Sequence, residues 1–431
     1  MTTAHRPRLL LHDVTVQEGK GYASLPARSV LIDGDRIEAV LPAAEAPLEG
    51  DFVRWEPGEG EGGGAATVMP GMTLGHTHIA YVNVTNGRET LFKYRVPEVA
   101  LHAARHAADL LTCGYTAFVG AGSVAGIDMA LKNAIEAGVI PGPRITPCSR
   151  DLMVSGPEGR RSPGLKQRMP RELMPVVDEL GDLVTYTEEE IDQGAEIIKV
   201  FSSGDDTFPN ARSEELLFTR EELATVVRVA HARGARVRAH SRGLGGIRNA
   251  LAAGVDVIDH ATYADDAALD QIAERGIFVV PSLFQPSQLL ELGEKFGKAP
   301  DYLEALDFKD EIANTLRFLP KAEELGLRIV PGDDFGFAWT PHGTYADELV
   351  MYVERAGISP ATVLKWACAN GAALAGRGDD AGTVEPGRLA DLVVLDRDPA
   401  ADLTVLQDRA ALRTVLLGGR HVAGPAAPPI A

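Results

Sequence analysis

TREELATVVRVAHARGARVRAHSRGLGGIRNALAAGVDVIDH, residues 219–260, carries the pattern that decides the fold. A helical segment (219–234) closes on Gly234, and the short run RVRAH (236–240) follows. A second helical segment (245–254) closes on Gly254, and VDVIDH (255–260) follows. Helices that end in glycine just before an apolar run are the repeating β/α signature of a parallel sheet. YTAFVG (115–120), EIIKVF (196–201), IFVVPS (277–282) and RIVPGD (328–333) extend the series. So many units predict a closed TIM-like (β/α)8 barrel, spanning 68–378, rather than an open sheet. SPATVLKWACANGAALAG (359–376) reads as its last long helix, with Ser-Pro at the start.

The flanks have a different texture. SVLIDGDRIEAVLP (29–42) is two apolar runs joined by Asp33-Gly34-Asp35, a hairpin signal. EPGEGEGGGAA (56–66) is too glycine-rich to pack and reads as a boundary loop. AGTVEPGRLADLVVLD (381–396) and ALRTVLLGGRHV (411–422) again read as strands with glycine turns. Residues 1–67 and 379–431 are therefore expected to pair into one small β-sandwich domain. The segment 149–190, rich in Gly, Pro, Arg and Glu, is expected to be a long functional loop at the barrel mouth.

Composition narrows the function. The chain has 431 residues, 45% hydrophobic and 24% charged, which is enough apolar material for a large core in an ordinary globular protein. Its net charge of −19 would repel a phosphate backbone, which argues against nucleic acid as a partner. Cys113, Cys148 and Cys368 lie far apart, with no CxxC pair, and fit a reducing compartment. MTTAHRPRLLLHD at the start has no apolar signal region, and no run is long enough to span a membrane. A cytoplasmic protein without a membrane partner is expected.

PGMTLGHTH (70–78) raises the question of chemistry. Alternate residues of a strand face one side, so His76 and His78 at a strand end would both point into the barrel mouth. An HxH pair alone is weak. Its company is stronger: His240 ends RVRAH, His260 ends VDVIDH, and Asp333 and Asp334 follow RIVPG. Lys199 is embedded in the apolar EIIKVF, where its charge must be paired or removed. His102 and His106, four apart on a helical segment, and His231 within another, read as surface or packing residues.

These motifs resemble the amidohydrolase superfamily, within it the metal-dependent branch similar to imidazolonepropionase and Xaa-Pro dipeptidase-type enzymes. MPGMTLGHTH, GAEIIKV, VRAH, GVDVIDH, PGDD and GTVEPGRLADLVVLDRDP carry the resemblance, from about residue 8 to 422. It implies a binuclear site. His76 and His78 would hold the more buried metal and His240 and His260 the second. Lys199, reacted with CO2, would bridge the two as a carbamate. Asp334 would bind metal and shuttle protons; Asp333 stands where relatives have Thr or Ser, so the assignment could shift by one residue. Two divalent ions are implied, zinc foremost, with cobalt or manganese as alternatives.

The implied reaction is hydrolysis of a C–N bond in a small molecule by a metal-bridging hydroxide, with an N-acyl amino acid or dipeptide as leading substrate class. A cyclic amide or carbamate-like xenobiotic is the alternative substrate. A mononuclear deaminase is a further alternative, although the HxxE acid expected after His240 is replaced by Gly243. A non-catalytic barrel scaffold is the last. Leu74 replaces the frequent Asp before HxH, Thr116–Gly120 lacks an Arg-Asp pair, and MVSGPEG (153–159) lacks a histidine; these departures bear on a peptidase substrate, not on the metal site. Arg242 is a candidate for holding a substrate carboxylate. His342 and Tyr263 are candidate pocket residues. A homo-oligomer is expected.

Overall fold

In the computed structural model, which describes residues 8–56, 65–155, 170–177, 179–205 and 212–428, the βα units form the expected barrel. Its strands, in order, are Met72–Thr77, Tyr115–Gly120, Arg144–Thr146 with Cys148–Leu152, Ile197–Phe201, Arg236–Ser241, Val257–His260, Phe278–Pro281 and Arg328–Ile329. All neighbouring pairs are parallel. The third strand is split. Its first half pairs with Tyr115–Gly120 and its second with Ile197–Phe201, and Pro147, which has no N–H to donate, sits at the break. Closure comes from the chain just past the short eighth strand: Gly75 N donates to Pro331 O at 2.7 Å and His78 N to Phe335 O at 3.0 Å.

Local chemistry explains the helices between the strands. Helix Arg220–Ala232 starts in a reciprocal cap: Thr219 Oγ1 accepts from Glu222 N at 3.2 Å while Thr219 N donates to Glu222 Oε2 at 2.7 Å. Helix Leu244–Ala253 stops at Gly254, whose φ of +86° is the left-handed exit glycine supplies without strain. The run expected as one last helix is interrupted: Pro360–Lys365 is followed by a π-turn at Trp366–Asn370 and a short turn Gly371–Leu374. The extra residue turns Asn370 so that its Nδ2 donates to Ile329 O at 2.9 Å, covering a carbonyl at the end of the eighth strand.

Alternation along the strands layers the interior. Ile197 shares a face with Lys199, and Val257 with Asp259. Val119, Ile197, Val257, Val280, Val330 and Leu374 form one buried apolar cluster at the barrel floor. The charged residues lie one step further toward the C-terminal ends of the strands, where barrel sites are built.

The segment 149–190 departs from the expectation of a single loop. It opens as the strand Cys148–Leu152 and closes as the helix Leu180–Asp192, because Leu183, Tyr186, Thr187 and Glu190 give that helix a buried face. Residues 156–169 and 178 lie outside the described residues.

Both ends of the chain share one eight-stranded sheet, ordered Arg420–Ala423, Leu412–Leu417, Leu392–Leu395, Thr67–Pro70, Arg8–Val16, Leu25–Asp33 and Arg36–Pro42, with Phe52–Trp55 also on Arg8–Val16. Thr67–Pro70 belongs to this sheet, so the passage into the barrel falls at Gly71 rather than at 67–68. Asp391 fastens the two parts. Arg144 from the third barrel strand donates to both its oxygens, at 2.6 and 3.0 Å, and Gly418 N to Oδ1 at 2.7 Å. Replacing Asp391 with Ala leaves Arg144 without its carboxylate and should lower unfolding free energy by about 2–3 kcal/mol. A urea midpoint identical to wild type would remove this bridge from the account of stability.

Candidate metal centre

The sequence-expected residues converge on the C-terminal mouth of the barrel. His76 and His78 project from the end of the first strand, His240 from the fifth and His260 from the sixth, and Asp334 follows the eighth. All are buried except for an edge of Asp334. His76 Nε2 and His78 Nε2 lie 2.8 and 3.3 Å from Asp334 Oδ1. His260 Nε2 lies 3.0 Å from His240 Nδ1. Two groups of donor atoms fall within 4.8 Å of one another, His76–His78–Asp334 and His260–Asp333–Asp334, and they share Asp334.

The protonation states suit metal ligation. Burial lowers the affinity of His76 and His260 for protons, and it pushes His240 down to about 3, so all three are neutral imidazoles with a free lone pair. The far nitrogen of His240 faces Gly204 O at 3.2 Å, which fixes the proton on Nε2 and leaves Nδ1 free toward His260. Burial opposes ionisation of Asp334, but the imidazoles of His76, His78 and His260 outweigh it and hold the carboxyl well below its ordinary range. His76 Nε2 is buried close to Asp334 yet out of line for a hydrogen bond, and it has no other partner. An orphaned imidazole nitrogen beside an ionised carboxylate is what a divalent cation would satisfy. Four imidazoles and a carboxylate form a donor set suited to zinc and its first-row neighbours.

Backbone strain marks the same place. His260 and Asp334 hold φ of 74° and 49°, left-handed values that cost a residue with a Cβ on the order of 1–3 kcal/mol. Gly332 allows the close approach that makes this possible, since a Cβ there would stand 2.3 Å from His76 N.

The structure separates the two adjacent aspartates. Asp333 has an oxygen within 4.8 Å of His260, but both its oxygens are engaged elsewhere: Ser282 Oγ donates to its Oδ1 at 2.8 Å, and Leu283 N and Gln285 N donate to its Oδ2 at 2.8 and 2.9 Å. It ties the eighth strand to the start of helix Phe284–Leu292. Asp334 faces the histidines.

Beneath the histidines lies a network that the sequence motifs do not single out. Lys199 Nζ pairs with Asp259 Oδ2 at 2.6 Å, and Arg238 grips the same carboxylate with Nε at 3.0 Å and a second nitrogen at 2.5 Å. Arg238 also reaches Gly75 O and His76 Nδ1, both at 3.2 Å. Burial favours a neutral Asp259, but Arg238, Lys199 and His76 together hold it well below the usual carboxylate range. The signal that exposes Lys199 as unusual, a charge inside an apolar strand, applies equally to Arg238 in RVRAH and Asp259 in VDVIDH.

The three residues expected to contact substrate are placed differently. Arg242 is fully buried, its guanidinium held by Asp205 at 3.0 Å and Glu311 at 2.5 Å, with Asp334 3.8 Å away. His342 has both ring nitrogens engaged, by Tyr345 Oη at 3.1 Å and Tyr81 O at 3.0 Å, and stacks on His106. It supports Tyr81, which in turn stacks on His78 at 4.4 Å. Tyr263 is half-buried, and its N donates to Arg242 O. His106 is a buried packing residue bonded to Ile79 O.

A closed βα barrel with histidines and an aspartate gathered at its C-terminal mouth defines the class of protein. Residues 67–422 match the Amidohydrolase family, and the chain belongs to it. The chain is 27% identical to an ochratoxinase of Aspergillus niger over 387 residues, 83% of this chain and 76% of that protein. Among solved structures it resembles a prolidase complexed with N-methylphosphonate-L-proline, with a TM-score of 0.85 at 26% identity over 97% of this chain and all of that one. It also resembles a Xaa-Pro dipeptidase with bound methionine, with a TM-score of 0.82 at 25% identity over 96% of this chain and 99% of that one. The chain is thus a hydrolase-family barrel. No helix among the described residues is long and apolar enough to cross a membrane.

Two predictions test this geometry. Asp333→Ala should retain bound metal but lose about 2 kcal/mol or more of stability, from three hydrogen bonds removed at a buried site. Asp334→Ala should do the reverse, and elemental analysis with urea unfolding would expose a wrong assignment if the two variants behaved alike. Acid provides the second test. An unfolded histidine takes a proton near 6.5, whereas folded His240 resists until about 3. The unfolded chain therefore binds more protons, and metal-free protein should lose stability as pH falls from about 6.5 toward 3. Stability that stayed level from pH 6.5 to 5 would contradict the buried neutral imidazoles.

Proposed function

We propose that this protein is a metal-dependent hydrolase of the amide-type C–N bond of a small molecule, with a dipeptide or N-acyl amino acid as the substrate class. The observation that carries the proposal is the shared Asp334: one carboxylate belongs to two groups of buried donor atoms at a single mouth, with His76 and His78 in one and His260 and Asp333 in the other. The likeness to a prolidase and a Xaa-Pro dipeptidase supports an amide substrate bearing a carboxylate.

In this reading His76 and His78 with Asp334 would hold one divalent ion, and His240 with His260 the other. Zinc fits this donor set first, with cobalt or manganese as alternatives. Bound there, the ions would supply Lewis acidity toward the substrate carbonyl and a water whose pKa is brought to about 7. Lys199 would join them by losing its ammonium proton and adding the neutral Nζ to CO2, forming an N–C bond with release of a second proton, which exchanges a buried cation for an anionic oxygen ligand. Arg238 would then remain to neutralise Asp259.

The remaining work falls to side chains of this chain. Asp334, held ionised and fixed by its strained backbone, accepts a proton at Oδ and returns it to the leaving amine nitrogen. The Asp205–Arg242–Glu311 network keeps a cation 3.8 Å from Asp334 and so favours its ionised state. Tyr81 and Phe337 flank His78 and close one wall against water.

The test is metal per chain and hydrolysis of a dipeptide and N-acyl amino acid panel, for wild type and Lys199→Ala prepared in bicarbonate. Close to two ions and amide cleavage in wild type, both reduced in the variant, are expected. One ion in both proteins would replace the binuclear reading with a mononuclear one.

A further inference from the structure

A buried carboxylate remains at the same mouth that the proposed chemistry does not use. Asp151 lies on the second half of the third barrel strand and is 2% exposed. Its Oδ1 accepts no hydrogen bond, and it forms no ion pair among the described residues. Buried unpaired carboxylates are costly, and proteins retain them where a partner arrives from outside.

Its placement is set by the sheet. Asp151 is the direct parallel partner of Lys199, so the two residues sit side by side on neighbouring strands about 5 Å apart. It lies within electrostatic reach of His78 and Asp334, and Tyr81, stacked on His78, feels its charge. The nearby protein cations are already taken: Lys199 and Arg238 both pair with Asp259. The fold also keeps room for the carboxylate. Gly122 adopts φ +143°, and a Cβ there would stand 2.1 Å from Asp151 Oδ1.

We propose that Asp151 is a specificity residue that receives the protonated amino group of the substrate, so that the site selects amides with a free amine beside the scissile acyl carbon over N-acylated ones. This rests on the amide-hydrolase reading and narrows it. An ammonium is the fitting cation because it brings hydrogen-bond donors to an oxygen that has none, and because the imidazoles and Asp334 already supply the donor set for metal.

The experiment compares alanyl-proline with N-acetyl-alanyl-proline on zinc-loaded wild type and Asp151→Asn, with metal per chain measured on both. Wild type should favour the free amine by about tenfold or more in kcat/KM, as expected for a charge-assisted bond, mainly through KM. The variant should lose about tenfold of that preference and keep its metal content. Equal losses on both substrates, or a wild type that favours the acetylated one, would overturn the assignment. Loss of metal in the variant would overturn it too, and make Asp151 a ligand. The wild-type comparison stands even where the variant does not fold. Cleavage of neither substrate would sink the hydrolase reading instead. Calorimetric binding of the same two probes then decides Asp151: tighter binding of alanyl-proline, abolished by Asp151→Asn, upholds it, and equal binding refutes it.

Discussion

The carboxylate of Asp259, fully enclosed and shared by Arg238 and Lys199, is the interaction on which the mouth of the barrel depends. Asp259 comes from the sixth strand, Arg238 from the fifth and Lys199 from the fourth. Arg238 extends further, to carbonyls of Gly75 on the first strand and Gly120 on the second. One charge cluster therefore ties five of the eight strands together from the inside. In so dry a setting, removing any one member strands the others, at a cost of about 3–5 kcal/mol. The same cluster sets His76, whose Nδ1 faces Arg238 and Asp259, and so presents Nε2 to Asp334.

Above this network the site gains precision from rigidity. The histidines need no rearrangement to converge, because each stands at the end of a strand whose neighbours fix its direction. Two of the converging residues, His260 and Asp334, are held in backbone geometry that an isolated chain would avoid. That conformation persists because the surroundings over-determine it. Just before Asp334, Gly332 packs against the first strand and Asp333 anchors the helix start.

Much of this architecture is legible in the amino-acid sequence. Helix–glycine–strand repeats specify the barrel, and the Gly-turn runs at both ends specify the terminal sheet, because burial periodicity and turn chemistry are local properties. The residues that meet at the mouth are visible as polar side chains at the ends of apolar runs. The third strand is not legible: Pro147 divides it, and the glycine- and proline-rich stretch that follows hides its end, so Asp151 passes as part of a loop. Nor does the sequence disclose the partners. Arg242 reads as a residue free to meet substrate, and only the fold shows Asp205 and Glu311 on its guanidinium. Pairings between distant strands depend on register and closure, which no single segment encodes.

The shared terminal sheet has a consequence for how the protein is made. Thr67–Pro70, which leads directly into the first barrel strand, lies between Arg8–Val16 and Leu392–Leu395. One of its neighbours is therefore made before it and the other only after the whole barrel. Until the strand Leu392–Leu395 has left the ribosome, Thr67–Pro70 has a bare edge, and Arg144 lacks the carboxylate of Asp391. Closing so distant a pairing is slow, and an open edge invites pairing with another chain in the meantime. The strand Leu392–Leu395 acts as a latch, so that a chain stopped before it would carry every histidine of the mouth and still be unable to lock its barrel in place.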